Sequence, residues 1–184
     1  MSFVQAGTPA VPVVLTLPVP SPANGFKIFP LGNCDPTGID LGPGADMAIS
    51  CRQGVAGELL TVQILDRTNG NLNAIVYVGG GDQIAYDAPT NRYYLAASRW
   101  TASGLSSGSA CTAASPCTPV LAIIDAGNRA VSKLIPSGNN AHSVASDPVT
   151  HQVYMPFSSA AAPAGCVAST CSLVPNGGVM VFQE

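Results

Sequence analysis

Three segments of the chain repeat one pattern, and that repeat constrains the fold more than any other feature. "PTGIDLGPGADMAIS" from Pro36, "GDQIAYDAPTNRYYLAA" from Gly81 and "AHSVASDPVTHQVYMPF" from Ala141 align with Thr37, Asp82 and His142 in one slot. Ile39, Ile84 and Val144 follow two residues later, and the steps are 45 residues (37 to 82) and 60 residues (82 to 142). The second and third copies also share Asp87-x-x-Thr90-x-x-x-Tyr94 and Asp147-x-x-Thr150-x-x-x-Tyr154. Asp and Thr side chains at such positions bond the backbone of a tight turn.

The first two units continue into a second hairpin, from Leu60 and from Val120, in which Ile64-Leu65-Asp66 matches Ile123-Ile124-Asp125. Asn69-Gly70 there predicts a type I′ turn, whose two central residues both need positive φ. Four strands per unit, recurring at this spacing, predict an all-β chain of the β-propeller kind, because such blades bury their faces only by stacking around an axis. The expected organisation is one domain over residues 1–184: an N-terminal extension (1–25), a closing strand (26–31), and blades at 36–78, 81–136 and 141–184. The longer second step is explained by the Ser/Gly loop at 101–118, and the third copy carries a similar loop at 158–176. Residues 26–31 align with the fourth strand of each unit, while the last unit stops after its third strand, so the opening segment is expected to complete the final blade. Known propellers need about four to eight blades. Either two chains form a six-bladed homodimer, which is the expectation taken here, or the chain is part of a longer protein.

The six cysteines fall into local pairs, Cys34 with Cys51, Cys111 with Cys117 and Cys166 with Cys171. Three disulfides are the economical reading, with reduced thiols as the alternative. Cys34 and Cys51 bracket a hairpin centred on Gly42 and Pro43, and the other pairs staple the two long loops. Disulfides imply an oxidising compartment, hence a secreted or periplasmic protein. The proline-interrupted apolar run from Ala10 to Val19 lacks a basic flank, so no signal peptide is read there, and it is too short for a membrane span. Charged residues make up only 9% of the chain and the net charge is −3, which leaves no basic footprint for nucleic acid.

The motifs Asp35-Pro36-Thr37-Gly38-Ile39-Asp40-Leu41, Ala141-His142-Ser143-Val144-Ala145-Ser146-Asp147-Pro148 and Val153-Tyr154-Met155-Pro156 carry a family resemblance. In them the chain resembles bacterial propellers with YVTN-type repeats and the related gluconolactonase-like, senescence-marker superfamily, over residues 26–184. The resemblance implies that Thr37, Asp82 and His142 converge on an axial channel. It also implies that Asp82 and His142 are metal ligands or catalytic groups for a divalent cation (calcium, zinc or manganese), with Thr37 where that family often has Asn. The chain departs from the family in having no Glu at an equivalent position, Glu58 and Glu184 being its only two.

The function expected first is a binding or interaction module for an unassigned small-molecule ligand, using the channel mouth and the cross-linked loops. The alternative is a metal-assisted hydrolase of lactones or esters centred on Asp82 and His142. A bland reading has Asp82 capping the amides of Gly79, Gly80 and Gly81 and His142 bonded within a channel rim. Residues 104–108 fit G-x-S-x-G, but in a low-complexity loop that motif is read as coincidence. The three consecutive glycines at 79–81 are read as a connector. His151 is read as an exposed turn residue, and Tyr93, Arg99 and Trp100 as edge packing of the second hairpin.

Overall fold

The computed structural model describes residues 2–5, 13–16, 25, 27–52, 55–108, 116–138, 140–158 and 177–183. Among them the fold is all-β, without a helix. The chain divides into two compact units, Met1–Pro30 and Leu31–Glu184. The first holds one antiparallel hairpin of β1 (Ser2–Gln5) and β2 (Val13–Thr16).

The second unit holds three antiparallel sheets, each a meander of consecutive strands. Sheet 1 is β3 (Pro36–Leu41), β4 (Asp46–Cys51), β5 (Thr61–Asp66) and β6 (Leu72–Val76). Sheet 2 is β7 (Ile84–Asp87), β8 (Arg92–Ala97), β9 (Val120–Asp125) and β10 (Ala130–Pro136). Sheet 3 has three strands, β11 (Ala145–Ser146), β12 (Gln152–Phe157) and β13 (Gly178–Gln183). Residues 27–31, expected to close the last sheet, form no strand in this single chain.

Because side chains alternate between the two faces of a strand, sheet 2 is buried twice. Tyr93, Leu95, Ala97, Ala122 and Ile124 pack against Ala48, Val62, Ile64 and Val76 of sheet 1. Their neighbours Tyr94, Ala96, Leu121 and Ile123 pack against Val153, Met155 and Phe157 of sheet 3. Tyr93 therefore lies in the core between sheets 1 and 2, not at a hairpin edge, and its ring stands 5.0 Å from that of Tyr86.

The bracketed hairpin forms around residues 42–45, and Cys34 and Cys51 are disulfide-bonded. Glycine is required at position 42, because a methyl there would overlap the Tyr93 hydroxyl. Cys117 is also in a disulfide; Cys111, Cys166 and Cys171 lie outside the described residues. A disulfide fits an oxidising compartment. No helix among the described residues is long and apolar enough to cross a membrane.

The hairpin at Asn69-Gly70 forms, but with a different turn. Gly70 has φ 80°, whereas Asn69 is not among the positive-φ residues. Asp66 accepts the Thr68 amide and hydroxyl on its carboxylate, and its carbonyl accepts the Gly70 amide, which widens the loop and shifts the register at Ile64 and Leu65. Arg129 holds the same left-handed conformation in sheet 2 (φ 51°). From there its guanidinium donates to both oxygens of the buried Asp46 carboxylate, at 2.9 and 3.1 Å, and ties sheet 1 to sheet 2.

Candidate functional site

The first strands of the three sheets, β3, β7 and β11, lie beside one another. Glycine at position 38 permits the first approach: a Cβ there would sit 2.7 Å from the Asp82 carbonyl oxygen. Thr37 closes the same joint, donating its hydroxyl to the Gly81 carbonyl at 2.6 Å, and Ser50 donates to that carbonyl at 2.8 Å. Across the second joint the amide of Val144 donates to the Gln83 side-chain oxygen at 3.3 Å.

These contacts bring the three aligned positions to one groove of about 490 Å³, lined by Thr37, Ile39, Asp82, Gln83, His142 and Ser143 among others. Thr37 lies in β3, whereas Asp82 and His142 stand in the turns just ahead of β7 and β11. His142 also borders a second hollow of about 210 Å³ with Asn140, Pro156 and Phe157. Thr37 contributes wall more than ligand contacts, since its hydroxyl is already committed to Gly81.

Asp82 and His142 face each other, with Nδ1 of the imidazole 3.4 Å from Oδ2. The other oxygen, Oδ1, is 3.9 Å from the Arg52 guanidinium, which in turn reaches Asp35 at 3.3 Å. Asp35, Arg52 and Asp82 form a line of alternating charges that ends on the His142 imidazole, each group about a third to a half exposed. Exposed pairs of this kind contribute only about 0–1 kcal/mol each, so their importance lies in position rather than in stability. Asp82 is thus engaged by Arg52 and His142, while the Gly80 amide donates to the Cys51 carbonyl.

Arg52 and Asp35 were not singled out by the sequence reading. The signal for them is covalent: each directly follows a cysteine of the Cys34/Cys51 disulfide, and the Arg52 amide donates to the Asp35 carbonyl at 2.9 Å. The cross-link therefore delivers both charges to the rim together.

As a hard-cation site the arrangement is poor. Such ions take six or more oxygens, whereas here one carboxylate oxygen faces a guanidinium, and no group of three His, Cys, Asp or Glu is gathered among the described residues. Residues 104–108 belong to turns and a bridge, with the Leu60 amide donating to the Gly104 carbonyl and the Ser106 amide to the Glu58 carbonyl. The strand-to-helix elbow that G-x-S-x-G chemistry needs is not formed there. His151 is a turn residue with φ 58°, and its Nδ1 also reaches the fully buried Asp87 carboxylate of sheet 2 at 3.2 Å.

No protein-family profile matches the chain, and no curated protein does. Among solved structures it is similar to the Kuenenia stuttgartiensis hydrazine synthase, with a TM-score of 0.50 and 12% identity over 80% of this chain. The match spans 34% of that structure's chain, about a third of its length, and at this identity it bears on fold alone.

Proposed function

We propose that the chain is a propeller-type binding module, working outside the reducing cytoplasm, that holds a small, hydroxyl-bearing ligand in the groove between its first strands. The observation that carries this reading is the meeting of Thr37, Asp82 and His142, from the openings of the three sheets, on one open groove, with Arg52 at the end of β4 reaching Asp82 from beside it. Their charges largely offset one another, which suits a neutral ligand that both donates and accepts hydrogen bonds. Ile39, Ile84 and Val144 supply apolar wall beside them. Chemical-shift mapping with monosaccharides, polyols and sugar lactones tests it. Binding should perturb His142 and Ile84 and be lost in Asp82→Asn; no groove perturbation by any of these compounds refutes the reading.

A hydrolase of lactones or esters is the second reading, favoured by one feature. The Asp82 carboxylate lies on Nδ1 of His142, the placement by which a carboxylate orients a catalytic imidazole and leaves Nε2 to act as base. Turnover of a lactone that is abolished in His142→Ala would support it. Metal analysis of the purified protein then separates a metal-assisted version from one that relies on the Asp82 and His142 pair.

A further inference from the structure

A cavity of about 640 Å³ lies away from the groove and shares none of its described residues. Along β5, Val62 and Ile64 pack on sheet 2, so Thr61 and Gln63 turn to the opposite face, where they line this cavity with Leu72 and Ile75 of β6 and Tyr77 just past it. Two backbone segments wall it. Gly32 and Asn33 lead into the Cys34/Cys51 disulfide, and Nε2 of Gln63 donates to the Gly32 carbonyl at 2.5 Å. Gly57, Glu58 and Leu59 form the other wall, clamped by the loop at 104–106: the Gly57 amide donates to the Ser106 carbonyl, the Ser106 amide to the Glu58 carbonyl and the Leu60 amide to the Gly104 carbonyl. The segment that mimics G-x-S-x-G thus holds a cavity wall in place.

Polar groups in this mainly apolar cavity keep unspent hydrogen-bonding capacity. Gln63 is only 5% exposed, and because its Nε2 is committed to Gly32, its Oε1 is left as an acceptor with no partner among the described residues. The buried Thr61 hydroxyl also has no partner among them. The Glu58 carboxylate makes no hydrogen bond or ion pair among the described residues, although its backbone is pinned. The fold itself does not require these groups. With Ile64-Leu65-Asp66 laid on Ile123-Ile124-Asp125, Thr61 and Gln63 correspond to Val120 and Ala122 of sheet 2, both apolar and packed in the core. Buried polar groups are ordinarily hydrogen-bonded, so acceptors left open on a cavity point to a ligand as the missing partner.

The same groups set the ligand's charge. Among the described residues no Lys, Arg or His lines the cavity and Glu58 brings its one formal charge, so an anion is repelled. A single carboxylate supplies too few oxygens for a hard metal ion. We infer that this cavity binds a small organic ammonium ion with an aromatic body. Its N–H groups go to the Glu58 carboxylate and Oε1 of Gln63, and its body lies against Leu59, Leu72 and Ile75. The Tyr77 side chain, on a residue 63% exposed, offers a ring face to the cation. The volume falls in the range that encloses a ligand of this size. This second site stands apart from the groove and does not rest on the reading given for it.

Titration of the methyl-labelled full chain with phenethylammonium, and with the matched neutral 2-phenylethanol and anionic phenylacetate, tests the inference. Phenethylammonium is expected to move the Leu59, Leu72 and Ile75 methyl signals saturably. It should bind about tenfold or more tightly than either control, the ratio that a hydrogen bond to a charged group supplies. Glu58→Gln, which alters a side chain with no partner among the described residues, should remove that preference while the rest of the methyl spectrum stays in place. Three results overturn the inference: no shift of the cavity methyls by phenethylammonium, equal binding of the three compounds, or a preference that survives Glu58→Gln. Shifts confined to Ile84 and Val144 would place the ammonium ion in the groove and overturn it as well.

Discussion

Removing the Cys34/Cys51 cross-link by replacing both residues with alanine is expected to cost about 3 kcal/mol of folding stability. The bond spans 17 residues of sequence, and constraining a loop of that length in the unfolded chain removes roughly 10 cal/mol/K, or about 3 kcal/mol at room temperature. Native packing adds little to that loss. Alanine keeps the Cβ of the fully buried Cys51, and the ladder bonds of β3 and β4 and the Arg52 to Asp35 backbone bond remain available. Urea unfolding of the wild type and the double variant measures the difference, with the midpoint expected to fall while the slope stays nearly constant. The rim of the groove should loosen as well, since the cross-link sets Asp35 and Arg52 side by side, and groove binding should weaken more than the stability loss alone explains. A loss below about 1 kcal/mol would refute the premise that this hairpin is held chiefly by restricting its unfolded chain.

Gly42→Ala forces a methyl onto the Tyr93 hydroxyl, whose ring is fully buried beside Tyr86. A cost of about 1–3 kcal/mol is expected from thermal unfolding. Only part of it should return in the double variant Gly42→Ala with Tyr93→Phe, because the methyl would still stand 2.4 Å from the ring carbon Cζ that phenylalanine keeps; a full rescue would contradict the packing. Burial, reinforced by Asp46, pushes the Tyr93 phenol well above its usual value. Above about pH 10 the unfolded chain releases phenolic protons that folded Tyr93 retains, so stability falls as pH rises through that range. Tyrosinate absorbance should show fewer than all five tyrosines ionising while the chain stays folded, and simultaneous ionisation of all five near pH 10 in the folded chain would be the contrary result.

The spacing of Thr37, Asp82 and His142 carried the site because the same slot of a repeated sheet returns to the same place in space. Matching residues such as Asp66 and Asp125, or Tyr94 and Tyr154, set the strands in register for the same reason. What the spacing does not encode is which group each side chain meets across a joint. Thr37 was free to be a ligand until the Gly81 carbonyl claimed its hydroxyl, and Arg52 became part of the rim only when sheet 2 delivered Asp82 beside it. Tyr93 and Tyr94 look alike in sequence, and only the middle position of sheet 2 in the stack buries both. The turn at Asn69-Gly70 departed from its dipeptide signal because the Asp66 carboxylate captured the Thr68 amide and lengthened the loop. Local side-chain competition of this kind overrides the dipeptide.

The stacking of sheet 3 on sheet 2 places each of the chain's two histidines beside one aspartate of the preceding unit, His142 at Asp82 and His151 at Asp87. Two ring Hε1 resonances, recorded in the wild type, Asp82→Asn and Asp87→Asn, therefore test the arrangement most directly. Asp82→Asn should move the His142 signal and leave His151 in place, and Asp87→Asn should do the opposite. Signals that ignore both substitutions, or that respond to each alike, would contradict it.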